Sequence, residues 1–528
     1  MPKVLVSDKL AQQGIDILKT CADVDVNTGL SEDELCKIIG NYDALVIRSG
    51  TQVTQKVLEN AEHLRIIGRA GVGVDNVDVP FASSKGIIVC NSPSGNTLAA
   101  CELTCGMLLA LARNIPQAYM SMKNQEWKRS LYAGVELNGK TLAILGLGKI
   151  GREVAKRAKA FGMTVVAYDP FLPKEVADSM NISLLSMDDA IKQADFITLH
   201  LPKNKDTMGI INKDKFAIMK DGVRIVNCAR GGIINDEDLA AAIESGKVAG
   251  AGMDVFVTEP PVWDNPLFGM DKVIFTPHLG ASTKEAQVNV AIDVCEQIRD
   301  VFMGGTARSA VNMPSMPEAV MEKISPFIEL AKNMATFAVY YVGSPIDKVE
   351  IVYSGEIAKY NTEYIKRSVI TGIMIPSLDD GVNMINCYDL AKERGLVVTE
   401  TKSEEQNEYT SLITLNVTAN GTERKFKGTM LDNRIPRMVS VSGYKAEFAC
   451  HGSIMTIKHQ DKPGVIGKIG NVLGNNDINI GNMADSRRGS GDEAFMVLTI
   501  DSMADANVLK ELQNIDEVNS VRQILFEK

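Results

Sequence analysis

The sequence predicts an α/β protein, with parallel sheets covered by helices over the first 311 residues and two smaller α+β modules after them. Three observations carry this. Short apolar runs alternate with helical segments from Lys3 onward. The glycine-rich turn Gly146-Leu147-Gly148-Lys149-Ile150-Gly151 joins one such run to a helix. A stretch with two prolines, Val311 to Pro317, separates this region from a hairpin-rich sequence.

In the first block, residues 3–6, 44–47, 65–67 and 87–89 read as strands, with Gly, Asn and Asp at the breaks. A long apolar helix follows over about 97–111, with Asn96 placed to cap it. The second block has strands at 141–145, 165–168, 196–200, 224–227, 249–254 and 273–275. Their near-continuous apolar character suits strands buried on both faces by crossover helices. A helix opening at Ser282 closes the block. Ser282 and Glu285 have capping-box spacing, and Ala291, Val294, Cys295, Ile298, Val301 and Phe302 recur at helical intervals.

Beyond the proline-bearing linker a helix is expected over about 317–342. Segments 409–418 and 422–430 alternate around Asn420-Gly421, the dipeptide favoured in type I′ hairpin turns. From Ser453 the order is strand (453–459), helix (465–474), strand (478–485), strand (493–500), helix (504–513), strand (518–525). This βαββαβ order is the ferredoxin-like arrangement.

A chain of 528 residues implies roughly three or four domains. With 45% hydrophobic and 23% charged residues it has the composition of an ordinary globular protein. No run reaches the ~18 apolar residues of a transmembrane helix. The N-terminus turns polar at Ser7-Asp8, too early for a signal-peptide core. The net charge of −10, without a long basic run, gives no support for nucleic-acid binding. The nine cysteines are scattered, and the close pair, Cys101 and Cys105, lies in an apolar helical run. Reduced thiols, no metal site and a cytoplasmic location are expected.

The turn at Gly146, Gly148 and Gly151 is a G-x-G-x-x-G at the end of a strand and the start of a helix. About 20 residues on, a second strand ends in Asp169. Gly146 permits the tight turn, Gly148 lets backbone N–H groups approach a pyrophosphate, and Gly151 lets helix and strand pack closely. The helix N-terminus adds positive potential. Asp169 can accept hydrogen bonds from ribose hydroxyls and would repel a 2′-phosphate, which favours NAD over NADP. A strand–turn–helix without a ligand remains the alternative.

Three later strand ends carry polar residues that can converge at the ligand crevice of a doubly wound sheet. They are the segments at Asn227–Gly232, Asp254–Pro260 and Thr276–Ala281. Oxidising a C–OH needs a base for the hydroxyl proton, and His278 suits that task near neutral pH. Glu259 can orient the imidazole, and Arg230 can hold a substrate carboxylate bidentately. Taken singly, each is also readable as a surface histidine, a solvated glutamate or a structurally paired arginine.

These residues, with Gly68-Arg69-Ala70-Gly71-Val72-Gly73-Val74-Asp75-Asn76-Val77-Asp78, Asn96 to Glu102 and Leu201-Pro202, resemble the D-isomer-specific 2-hydroxyacid dehydrogenases. The long C-terminal extension is similar to that of the long-form members, which carry an intervening domain and an ACT regulatory domain. The resemblance implies a Rossmann-type sheet inserted in a flavodoxin-like domain. It divides the chain into a discontinuous substrate-binding domain (1–97 and 284–311), an NAD-binding domain (98–283), an intervening domain (312–452) and an ACT domain (453–528).

It also implies roles for residues. The catalytic set falls on Arg230, Glu259 and His278. Contacts to NAD fall on Val72, Gly146, Gly148, Lys149, Ile150, Gly151, Asp169, Pro202, Cys228, Asp254, Gly280 and Ala281. Substrate contacts fall on Arg48, Ser49, Gly73 and Asn96, with Arg69 and Arg129 as further candidates. Arg129 would reach a neighbouring subunit's site, because the family forms dimers through the nucleotide domain. One departure is Asn235, where the family often has aspartate before a helix; both can cap.

In the ACT-like module, His459, Asp461 and Asn479 fall where related enzymes contact L-serine between paired modules. The implied reaction is NAD-dependent oxidation of 3-phospho-D-glycerate to 3-phosphohydroxypyruvate, the first step of L-serine biosynthesis, by a homodimer or homotetramer. The rival readings are a dehydrogenase of another D-2-hydroxyacid and an NAD-sensing corepressor.

Overall fold

The computed structural model describes residues 1–314, 316–378, 381–405, 408–432, 435–487 and 493–526. The chain forms two compact units. One comprises Met1–Gln52, Gly68–Asn76 and Asn91–Ser309; the other comprises Val53–Ile67, Val77–Cys90 and Ala310–Lys528.

The centre of the first unit is a seven-stranded sheet. Its order is Val273–Phe275, Val248–Met253, Val223–Asn227, Phe196–Leu199, Thr141–Leu145, Thr164–Tyr168 and Ser183–Leu184, with every pairing parallel. Numbered along the chain, the order is 3-2-1-4-5-6-7, so the direction of winding reverses beside Thr141–Leu145. That is a doubly wound Rossmann sheet, whose switch point is its ligand crevice. Both faces are dry. Ala143 and Leu145 join a cluster with Ile191, Ile225 and Leu239, while Leu142 and Ile144 join one with Leu111, Val154 and Ala158. Burying a leucine or valine fully is worth about 1.5–3 kcal/mol, and this two-sided burial is why the strands lack polar alternation.

The expected strands of this block are all present, with ends moved by one residue at most; the two-residue edge strand Ser183–Leu184 has no sequence signal strong enough to find it. The helix Lys149–Ala160 buries Gly151, Val154, Ala155 and Ala158, one stripe at helical spacing.

A second sheet has the order Asp23–Val26, Lys3–Val6, Ala44–Ile47, Ile66–Arg69, Ile88–Asn91, with Lys3–Val6 parallel to both of its neighbours. Counted along the chain this is 2-1-3-4-5, the flavodoxin-like order.

Two helix caps depart from expectation. Asn96 stands at the N-cap of Thr97–Arg113, but its φ of −114° and ψ of 11° keep the side chain from reaching the first-turn amides, and it makes no capping bond. Ser282 does not cap the helix Lys284–Phe302. Its N–H closes a turn on Leu279 O, so Thr283 is the residue in extended conformation, and the Thr283 hydroxyl accepts from Ala286 N at 3.1 Å. Asn235 caps as expected, accepting from Asp238 N.

In the second unit, a five-stranded sheet runs Val397–Ser403, Lys348–Gly355, Ser411–Ala419, Thr422–Leu431, Ile435–Val441 against the helix Glu318–Val342, on which Glu363–Leu378 packs. Asn420 (φ 49°) and Gly421 (φ 70°) form the two-residue hairpin loop, with Ala419 opposite Thr422. The last module is an antiparallel sheet, Ile480–Arg487, Glu493–Ile500, Gly452–Gln460, Val518–Phe526, with helices Val465–Asn475 and Ala506–Gln513. It shares a core with the module before it: the Tyr341 ring meets Phe495 edge-on at 5.6 Å.

All nine cysteines are free thiols. Among the described residues, no single helix is long and apolar enough to cross a membrane, and no cluster of three or more His, Cys, Asp or Glu suits a metal ion.

Candidate active site

The glycine-rich turn leaves the switch-point strand Thr141–Leu145. Gly146 has φ 99°, and a Cβ there would lie 2.5 Å from His200 O. A Cβ on Gly151 would stand 2.2 Å from Gly146 O, so close helix–strand contact demands glycine. At Gly148 a Cβ would meet nothing within 4 Å, leaving an open face at the N-terminus of Lys149–Ala160. Asp169 follows the neighbouring strand. Its Oδ2 accepts from Leu147 N at 2.9 Å and its Oδ1 from Phe171 N at 3.0 Å. Each oxygen keeps a lone pair for a ribose hydroxyl.

An open amide cradle, a carboxylate at the ribose position and a helix N-terminus together fit a dinucleotide. Lys149 Nζ donates to Ser94 Oγ at 2.6 Å, tying this turn to the segment before Asn96. Ile150, Val72 and Cys228 are half-buried and Pro202 is exposed. Val72 O accepts from Asn91 Nδ2, and Pro202 O accepts from the Thr207 hydroxyl. Burial pushes the Cys228 thiol up to about 12, so it stays protonated at neutral pH.

Asp254, fully buried just past the strand Val248–Met253, organises the loop Thr276–Ala281. Its Oδ1 accepts from the Thr276 hydroxyl (2.5 Å) and Leu279 N (2.7 Å), and its Oδ2 from Gly280 N (2.9 Å). Burial raises its carboxyl above the usual range, and those hydrogen bonds pull against the rise. The pinned loop presents His278 at φ 52°, with Gly280 buried and Ala281 half-buried behind it.

His278 Nδ1 donates to Glu259 Oε2 at 2.6 Å, and Glu259 Oε1 accepts from Phe256 N at 3.1 Å. The Glu259–Pro260 peptide bond is cis. Burial pushes the Glu259 carboxyl up, but the hydrogen bonds from His278 and Phe256 and the charges of His278 and Arg230 outweigh it and hold it below the usual range. With Nδ1–H committed to the carboxylate, Nε2 is the free acceptor of the ring.

Arg69 lies within electrostatic range of two other guanidiniums, those of Arg230 and Arg48. Arg69 is pulled down to about 10, first by burial and then by Arg230, with Arg48 adding to the effect; its Nε is buried without a partner. Arg48 follows the strand Ala44–Ile47, and its N–H donates to Asp8 Oδ2 at 2.6 Å. Asn76 Nδ2 donates to Arg48 O and Thr51 O, anchoring the loop that exposes Ser49.

Arg230 donates from Nε to Asp75 Oδ2 at 3.0 Å and from Nη1 to Ala229 O at 2.7 Å. A Cβ on Gly73 would lie 2.1 Å from Arg230 Nη2. Asn96 Oδ1 is buried without a partner. The buried, unpartnered Arg69 Nε–H, in a guanidinium that feels the charges of Arg230 and Arg48, is a donor suited to an anion.

Arg129 is not brought to this cluster. It sits in the short turn Arg129–Tyr132, in an exposed groove of about 710 Å³ lined by Arg113, Trp127 and Tyr132.

The three effector candidates do not converge within one chain. His459 is buried, its Nδ1 bonded to Gln460 O and its Nε2 to Asp485 Oδ1 at 3.1 Å. Asp461 pairs with Arg487 and Asn479 with Asp501. In the register His459 faces Ala494, whereas Asn479 adjoins Ile480, which faces Ile500. Six residues of strand separate the two ends, roughly 20 Å.

Sequence reasoning assigned no role to Asp8 or Asp75. Asp8 lies two residues past the strand Lys3–Val6, and Asp75 lay inside the quoted Gly68–Asp78 motif, so position was the available signal.

Residues 105–280 match the family model described as D-isomer specific 2-hydroxyacid dehydrogenase, NAD binding domain. Residues 323–442 match the D-3-phosphoglycerate dehydrogenase intervening domain, and 453–517 the ACT domain. The chain is 44% identical over 527 residues to the D-3-phosphoglycerate dehydrogenase of Methanocaldococcus jannaschii, covering 99% of this chain and 100% of that one. It is 42% identical over 527 residues to that of Bacillus subtilis, covering 99% of each. Among solved structures, a D-lactate dehydrogenase from Aquifex aeolicus complexed with NAD and lactic acid aligns with a TM-score of 0.53 and 27% identity. The alignment covers 59% of this chain and 100% of that one. A glyoxylate reductase from Paecilomyes thermophila gives 0.55 and 30%, covering 59% and 98%.

Proposed function

The chain belongs to the D-3-phosphoglycerate dehydrogenase family, and we propose from that membership that it oxidises 3-phospho-D-glycerate to 3-phosphohydroxypyruvate with NAD, the entry to L-serine biosynthesis. The observation that carries the substrate is the arginine trio: Arg69, whose buried Nε has no partner, feels the charges of Arg48 and Arg230, and Arg230 in turn acts on Glu259 of the His278–Glu259 pair. A substrate with a carboxylate at one end and a phosphate at the other answers that charge.

In the reaction, Arg230 grips the carboxylate and orients C2 toward the pinned loop. The C2 hydroxyl proton passes to Nε2 of His278, and the resulting imidazolium is stabilised by Glu259 through Nδ1–H. NAD, when bound, supplies the hydride acceptor; Gly146, Gly148, Gly151, Lys149, Ile150, Asp169, Val72, Pro202, Cys228, Asp254, Gly280 and Ala281 are the residues that would hold it. Arg48, with Ser49 and Arg69, meets the phosphate, and Gly73 and Asn96 line the space between.

The domain limits given above, 1–97 with 284–311, 98–283, 312–452 and 453–528, are part of this reading. So is a homodimer or homotetramer. The exposed Tyr119, Trp127 and Leu131, beside Arg129, support an interface on the nucleotide domain. The nine free thiols support a cytoplasmic setting. L-Serine is the proposed effector. The placement of Asn479 at one end of its sheet and His459 with Asp461 at the other supports a site assembled from two copies of the module.

The test is the initial rate of NADH oxidation with 3-phosphohydroxypyruvate against hydroxypyruvate. Fast turnover with strong preference for the phosphorylated substrate is expected. Equal rates would remove the role of Arg48, and no turnover with either would overturn the reading. For serine, inhibition that survives unchanged in Asn479→Ala would remove that residue from the effector site.

A further inference from the structure

The ion pair between Arg230 and Asp75 has no place in the chemistry above. Arg230 Nε donates to Asp75 Oδ2 at 3.0 Å, with 27% and 59% of the two side chains exposed. A pair this open to water contributes little to folding. Its geometric effect is larger. Asp75 takes the Nε edge of the guanidinium, Ala229 O takes one hydrogen of Nη1, and Nη2 lies over Gly73, where even a methyl group would collide. Held at two points, the planar group cannot rotate, and its free hydrogens are those at the Nη end. Asp75 also sets a negative charge against the repulsion that Arg69 feels from Arg230 and Arg48.

We propose that Asp75 is a positioning residue for the carboxylate-binding arginine: by occupying Nε of Arg230 it turns the terminal Nη edge toward the substrate carboxylate and excludes side-on docking. The proposal rests on the reading that Arg230 holds that carboxylate. A merely structural Asp75 would act differently. It would steady the whole loop 69–76, in which the neighbouring Asn76 anchors Arg48 and its phosphate-side contacts through Arg48 O and Thr51 O. Loss of the loop would therefore weaken both ends of the substrate site, whereas loss of alignment weakens one.

The test uses the full-length protein, Asp75→Asn and Asp75→Ala. Two probes separate the ends of the site: oxalate for the carboxylate end and inorganic phosphate for the other. Oxalate binding is read without turnover, from the fluorescence of protein-bound NADH, and phosphate as an inhibitor competitive with 3-phosphohydroxypyruvate.

In Asp75→Ala, oxalate binding and kcat/KM are expected to fall at least tenfold while the phosphate inhibition constant stays within twofold. Asp75→Asn, which keeps an acceptor for Nε–H, recovers part of the loss. Oxalate binding within twofold of the parent in both variants, or equal weakening toward oxalate and phosphate, would overturn the proposal, as would a parent that binds no oxalate. A parent that binds oxalate but does not turn over 3-phosphohydroxypyruvate would overturn the substrate assignment instead, and the oxalate comparison would still decide the role of Asp75.

Discussion

Replacing Glu259 by glutamine isolates the charge behind the base. The 2.6 Å contact from His278 Nδ1, charge-assisted already by the carboxylate, becomes an ion pair when the imidazole takes the C2 hydroxyl proton, so its added strength belongs to the transition state. Hydrogen bonds to charged groups are worth about 1.5–3 kcal/mol. With 44% and 36% of the two side chains exposed, the low end applies. Roughly 1.5 kcal/mol is about tenfold in rate.

That factor is a floor. Phe256 N–H occupies the other carboxylate oxygen, and glutamine, with one oxygen and one NH2, must turn its NH2 toward one of the two donors. The expected result is a kcat/KM for the oxidation of 3-phospho-D-glycerate at pH 7 lowered tenfold or more, followed at 340 nm, with NADH affinity unchanged. Activity of Glu259→Gln within twofold of the parent would refute the claim that the carboxylate stabilises the protonated base. The sign with pH follows from the depressed Glu259 carboxyl: its contribution is complete above pH 4.5 and is lost as pH falls through the lower, folded-state value.

Other outcomes are expected. Gly151→Ala forces a methyl group to within 2.2 Å of Gly146 O; overpacking of this kind costs about 1–3 kcal/mol, and both the unfolding midpoint and NADH affinity should fall. Asp254→Ala strands the Leu279 and Gly280 N–H groups and the Thr276 hydroxyl, so turnover should fall by more than tenfold, measured beside circular dichroism to show that the fold persists. The His459 imidazole is raised above its usual value, first by the hydrogen bond to Asp485. Its stabilisation is complete below pH 6.5 and is lost as pH rises through the raised value. Melting curves should therefore decline toward pH 9, and Asp485→Asn should flatten that decline.

The parts of the fold most legible in the sequence are those where one residue type has no substitute. Gly146 and Gly151 announce the turn because backbone oxygens leave no room for a Cβ, and Asn420-Gly421 announces the hairpin because both residues take positive φ. Apolar runs announced the strands buried on both faces. The helix starts were less legible. Asn96 and Ser282 have capping chemistry, but whether an oxygen reaches an amide depends on the backbone angles of that residue, which neighbouring loops set.

Within the site, His278, Glu259 and Arg230 were readable as strand-end chemistry, and the structure joins Arg230 to a carboxylate that was not. Asp75 lies 155 residues from Arg230 in sequence, and no local spacing encodes such a pair. The effector candidates show the same limit: three polar residues of one short module turn out to lie at two ends of its sheet.

The arginine trio has a consequence for how salt acts on the enzyme. The chain carries a net charge of −10, yet its crevice gathers three cations. An approaching phosphate-bearing acid is repelled by the molecule at long range and attracted only near the cleft. The Debye length is about 30 Å at 0.01 M salt and about 10 Å at 0.1 M. The first additions of salt therefore hide the distant acidic surface while sparing the nearby arginines, and substrate capture quickens. Toward 1 M, with screening over about 3 Å, the attraction itself fades. A plot of kcat/KM against ionic strength should rise and then fall, with its crest where the ligand senses the crevice and no longer the whole protein.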